Sequence, residues 1–230
     1  MTVCVCRGPT NTRPQVKKRP LRSIQPAIDL VLEFLHLPKG GLTEDVVTAA
    51  EQRLGFSFPL PLRETYLQVP QELLQHPDHL FSPERLAWDE EKKLFFFAGD
   101  QGEPEYAIED GSPIVLVKNQ ISKRWIERAL LDNFLASEMI WNAMNQEDRG
   151  TVLTELLECT KRMLGPKGKL GKYLVSVLPN VTKGSRRQLY TTPAHDILLL
   201  RDEDMQSTYL ASVGEEPLER LEKEAEIELS

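Results

Sequence analysis

The stretch LFFFAGDQGEPEYAIEDGSPIVLVK, residues 94–118, decides the fold. Three short runs rich in strand formers, LFFFA, EYAIE and PIVLVK, are separated by GDQGEP and DGS, whose Gly, Pro, Asp and Ser residues favour turns. That alternation predicts an antiparallel meander. Successive side chains of a strand point to opposite faces, so the odd positions Glu103, Glu105 and Glu109 gather at least in part on one face, opposite Tyr106 and Ile108.

Upstream of the meander the pattern is helical. Ser23 reads as an N-cap with Pro26 in the first turn, and Ile28, Val31, Leu32 and Leu35 follow at helical spacing until Pro38 and Gly40-Gly41. A second helix starts at Thr43, places Glu44 and Asp45 at the positive end of its dipole, buries Val46, Val47, Ala50 and Leu54, and stops at Gly55. In FSFPLPLRETYLQVP, Pro59 and Pro61 open a short third helix that turns Leu62 and Tyr66 inward. Residues 70–93 are turn-rich, with a short strand or helical turn at 80–86.

Downstream, residues 126–145 carry Leu130, Leu131, Phe134, Leu135, Met139, Ile140 and Met144 at spacings that predict an amphipathic helix covering one face of the sheet. After Glu147-Asp148-Arg149-Gly150 the spacing predicts a helix over VLTELLECTKRML, strands at 173–178, 188–191, 196–200 and 206–213, and an acidic helix from Glu215. The expected architecture is α+β: a disordered basic tail at 1–22, an antiparallel sheet flanked by helices at 23–148, and a smaller α+β unit at 149–230.

Charge is unevenly spread. Residues 1–22 hold six Lys or Arg and no acid, whereas residues 23–150 hold 11 basic and 22 acidic residues and so dominate a net charge of -7. An acidic surface repels nucleic acid and steers basic partners, more weakly as salt rises. No apolar run approaches the roughly 20 residues of a membrane helix, and the N-terminal residues lack a signal-like apolar core. Cys4, Cys6 and Cys159 make no disulfide framework, which points to a reducing cytoplasm.

The sequence carries few motifs for chemistry. GPKGKLGK at 165–172 misses the phosphate-loop spacing and lies after a helix and before a strand, the reverse of that loop. The eight basic residues of 161–187 lack interleaved aromatics and read as a counterweight to the acidic C-terminal helix. His76 and His79 are at most half a metal site, as are Cys4 and Cys6, and no nucleophile motif surrounds any histidine. The expectation is a non-catalytic protein with neither metal nor cofactor.

The order of motifs then resembles one family. Glu51, Leu54, Gly55, Pro59, Pro61 and Tyr66 precede the Gly99-Asp100-Gln101-Gly102 turn, the strand Tyr106-Ala107-Ile108, the strand Pro113-Ile114-Val115 and the helix of Leu131, Phe134 and Leu135. Over about residues 24–145 this is similar to the SUKH superfamily of cell-wall regulators and bacterial immunity proteins. The family's Glu-Asn before the turn is here Gly99-Asp100, and its aromatic pair after the turn is reduced to Tyr106 with Pro104 and two glutamates. The resemblance implies a cytoplasmic immunity protein that binds and blocks a toxin with a basic surface, or alternatively a regulatory adaptor that binds a cellular protein. Asp89, Glu90, Asp100, Glu103, Glu105 and Tyr106 are the expected partner-binding residues. An enzyme acting through the His76–His79 loop is the third class.

Overall fold

The computed structural model describes residues 19–75, 79–98, 105–118, 122–156, 161–164, 167–176, 187–202 and 206–227. It has an α+β fold built from two antiparallel sheets packed through a shared helix.

The three helices expected upstream of the meander form. α1 spans Gln25–Phe34, with Ala27, Ile28, Val31 and Phe34 among its buried residues. Ser23 lies one residue further out than an N-cap: Ile24 flanks the helix, and Ser23 Oγ accepts the Gln25 N–H at 3.1 Å. The cap is completed from elsewhere, because the Glu64 carboxylate accepts both the Ser23 hydroxyl at 2.6 Å and the Ile24 N–H at 2.8 Å. α2 (Glu44–Leu54) follows Thr43 and closes at Gly55, whose φ of 61° is the left-handed conformation glycine adopts without cost. α3 spans Leu60–Gln68. Glu51 ties the two together by accepting the Phe58 N–H at 2.7 Å and pairing with Arg63 at 2.5 Å.

The first sheet contains β1 (His79–Leu80), β2 (Ala87–Trp88), β3 (Lys93–Ala98), β4 (Glu105–Glu109), β5 (Ile114–Lys118) and β6 (Trp125–Leu130). Its order is β1-β3-β4-β5-β6, with β2 pairing β3 next to β1. The predicted meander is therefore β3, β4 and β5, and a fourth long strand joins it. That strand corrects the sequence reading: residues 126–130 are extended and pair with β5, Leu130 opposite Ile114, and the helix α4 begins only at Leu131 (Leu131–Met144). Pairing to an open sheet edge overrode the helical spacing that Leu130 continues.

α4 also differs from an amphipathic helix, since every residue from Leu131 to Ile140 is buried. The second sheet explains this. It contains β7 (Thr151–Glu155), β8 (Val175–Ser176), β9 (Arg187–Thr191), β10 (Ile197–Asp202) and β11 (Ser207–Val213) in the order β7-β11-β10-β9-β8. Leu198, Leu200, Leu189 and Ala211 on one of its faces join α1 and α4 in a single apolar core, and the Trp141 ring lies 5.2 Å from Tyr209. The other face packs Ile197, Leu199 and Leu210 against Leu218, Leu221 and Ala225 of α6 (Glu216–Ala225) and against Leu164, Leu170 and Leu174. Hence ILLL at 197–200 is buried throughout, as befits a strand covered on both sides.

The helix expected over VLTELLECTKRML is the second correction. Residues 151–155 form β7 against β11, and only Lys161–Leu164 form a helix, α5. Thr151, Val152 and Thr154 are β-branched and suit an edge strand. Cys159 lies outside the described residues. Of the strand predicted at 173–178 only Val175–Ser176 is extended, as β8, with 177–178 outside the described residues, and those at 188–191, 196–200 and 206–213 are β9, β10 and β11. Lys169 and Tyr173 each donate, at 2.7 Å, to the carbonyls of Glu226 and Glu224, so part of the glycine-lysine segment caps the acidic helix. Among the described residues no helix is long and apolar enough to cross a membrane.

Candidate protein-interaction surface

Strand parity sorts the first sheet into two chemically different faces. On the inner face, the rings of Phe96, Phe97 and Tyr106 lie 5.8, 5.1 and 4.7 Å from Phe134 of α4. A bulge between Phe95 and Phe97 turns both Phe96 and Phe97 inward. Phe95, paired with Ala107, is left on the outer face.

The outer face carries the row Phe95, Ala107, Leu116 and Glu127, one residue from each of β3 to β6. To one side lie Lys93 and Glu109, and to the other Glu105, Lys118 and Trp125. Trp125 organises this surface. It starts on the edge strand β6, yet its ring lies 5.5 Å from that of Phe95 on β3. The two rings meet only by reaching over β4 and β5, where the small Ala107 is fully buried. The indole N–H donates to Glu91 Oε2 at 3.0 Å, and Lys118 Nζ sits 5.4 Å from the ring centroid. Lys93 and Glu109 form an ion pair beside them. The result is a half-buried aromatic and aliphatic centre bordered by the carboxylates of Glu91, Glu105, Glu109 and Glu127.

The expected site residues separate. Glu105 is exposed on the outer face. Asp89 and Glu90 lie in the turn between β2 and β3, where the Asp89 carboxylate accepts the Lys93 N–H at 2.7 Å and so shapes the turn that delivers Glu91. Glu90 is exposed in that turn. Tyr106 is on the inner face, in the Phe134 cluster and away from Glu105. Asp100 and Glu103 lie outside the described residues, as does the Gly99-Asp100-Gln101-Gly102 turn.

Phe95, Leu116 and Trp125 were missed by sequence reasoning. Strand parity holds the signal for Phe95 and Leu116, which share a face with Glu105 once the bulge is placed. Trp125 stands one residue ahead of the helix predicted over 126–145, and its place on this face follows only from the strand that Trp125–Leu130 form.

His79 is exposed on β1, and His76 is outside the described residues. Among the described residues no group of three or more His, Cys, Asp or Glu is placed to hold a metal ion. No family model, curated protein or solved structure matches this chain.

Proposed function

We propose that this chain is a cytoplasmic, non-catalytic immunity protein that neutralises a bacterial toxin by direct binding, and that the outer face of the first sheet is its docking surface. The observation that carries the reading is the Phe95–Trp125 pair set in a border of glutamates. Protein interfaces combine an apolar, aromatic-rich centre with a polar rim, and a few central aromatic residues carry most of the binding energy. The SUKH-like order of motifs supplies the immunity role, and the excess of acids in residues 23–150 suits a toxin with a basic substrate groove.

Co-expression with the product of the neighbouring upstream gene tests this. The expected result is a stable complex whose association slows at least about tenfold at low salt when Glu91 and Glu105 are changed to Lys, a steering effect. Trp125→Ala is expected to speed dissociation. An unchanged association rate in the charge-reversed variant overturns the assignment of this face, and capture of a cellular regulator in place of a toxin identifies the adaptor role.

A further inference from the structure

Resting on that reading of the outer face, we propose that Phe95 and Trp125 form a receptor for an arginine side chain of the protein partner, and that Lys118 is its resident stand-in. Lys118 and Trp125 are directly opposed on β5 and β6, and the ammonium is already over the indole face at 5.4 Å. The site therefore holds a cation in the absence of any partner. Three features adapt it to that task. Donation of the indole N–H to Glu91 fixes the ring's orientation and raises electron density in the ring, which strengthens its attraction for a cation. Phe95, inclined at 54° to Trp125, provides a second aromatic wall. Lys93 is engaged by Glu109, so it does not compete for the rings.

Arginine is the better occupant. A planar guanidinium stacks on an aromatic face, sheds water more easily than an ammonium and pairs with carboxylates through two parallel hydrogen bonds. Glu105 lies exposed on the same face to receive it. Lys118, on its flexible stem, moves aside into solvent.

The test uses the full chain and a capped Gly-Arg-Gly-Arg-Gly peptide, with its citrulline counterpart as the uncharged control, followed by NMR at the Trp125 indole N–H. The arginine peptide is expected to shift that signal saturably and the citrulline peptide to leave it unmoved. Lys118→Met removes the competing cation and is expected to tighten peptide binding severalfold. Lys39→Met makes the same charge change in the loop between α1 and α2 and is expected to have no such effect. Equal binding of both peptides, or equal tightening by the two lysine variants, overturns the proposal. Partner association that is slowed by Glu91→Lys and Glu105→Lys but unaffected by Lys118→Met, with no response to the arginine peptide, overturns the arginine receptor alone and leaves the docking surface standing. An unchanged association rate in the charge-reversed variant removes both.

Discussion

Arg187 of β9 and Glu138 of α4 join the two halves of the molecule: a guanidinium nitrogen lies 2.9 Å from the carboxylate, while Nε contacts Asp202 of β10 at 3.0 Å. Both acids are nearly inaccessible, at 9% and 6% side-chain exposure. Burial disfavours the charged guanidinium, but the two carboxylates outweigh it and hold the group above its ordinary pKa. Removing one member leaves the others buried and uncompensated. Arg187→Met is expected to cost about 3 kcal/mol, read from the urea midpoint at neutral pH. Replacing Arg187, Glu138 and Asp202 together by apolar residues of similar volume is expected to recover most of that loss.

The second sheet covers what would otherwise be an exposed side of α4, including Glu138 and Trp141. A chain ending at Gly150 is therefore expected to lose fixed packing, bind a hydrophobic dye and show weak near-ultraviolet circular dichroism. The whole chain is expected to unfold in one transition, coincident by fluorescence and far-ultraviolet circular dichroism.

Gly41 is a site of close backbone approach. A Cβ there would lie 2.3 Å from the Leu67 carbonyl carbon and the Tyr66 oxygen, both main-chain atoms that a rotamer change cannot move. The neighbouring Leu42 N–H donates to Tyr66 O at 2.7 Å and Gly40 N–H to Gln68 O at 3.2 Å, so the loop serves as the C-terminal cap of α3. Gly41→Ala is expected to destabilise by about 2 kcal/mol or more, whereas Gly40→Ala, whose nearest contact is 3.9 Å away, is expected to be much milder in the same melt.

Asp196 lies in the tight connection between β9 and β10. Partial burial alone would raise its pKa, but hydrogen bonds from Thr192 and Arg220 prevail and hold it below the ordinary carboxylate range. A carboxyl with a lowered folded-state pKa stabilises at pH values above its unfolded value, and that contribution fades as pH falls through the folded value. The stability difference between the parent chain and Arg220→Ala is thus expected to be a few tenths of a kcal/mol to about 1 kcal/mol and flat near neutrality. It should shrink below about pH 4. Urea titrations across that range measure it.

Local chemistry made much of the fold legible. Gly55 closes α2 in the left-handed conformation expected of it, Thr43 flanks that helix at its start, Pro61 opens α3, and the three strand-forming runs of 94–118 become β3, β4 and β5. The errors fall where long-range pairing decides. Leu130 continues a helical spacing but pairs with Ile114, and Val152 and Leu153 become strand because β11 offers them an edge. Likewise Glu105 was placed by parity, whereas Trp125 acquires its role only when β6 brings it across two strands to Phe95. Tyr106 is grouped with the glutamates through the family resemblance, although strand parity already sets it opposite them, and its ring lies on the inner face against Phe134.

The burial of α4 on all sides has a consequence for biosynthesis. Its partners β10 and β11 lie at 197–202 and 207–213, so a nascent chain completes α4 long before the second sheet leaves the ribosome. At about 5–20 residues per second, several seconds pass with one side of that helix uncovered. During this interval cellular chaperones would meet a sticky, half-wrapped intermediate, and rare codons between positions 145 and 213 would prolong its exposure.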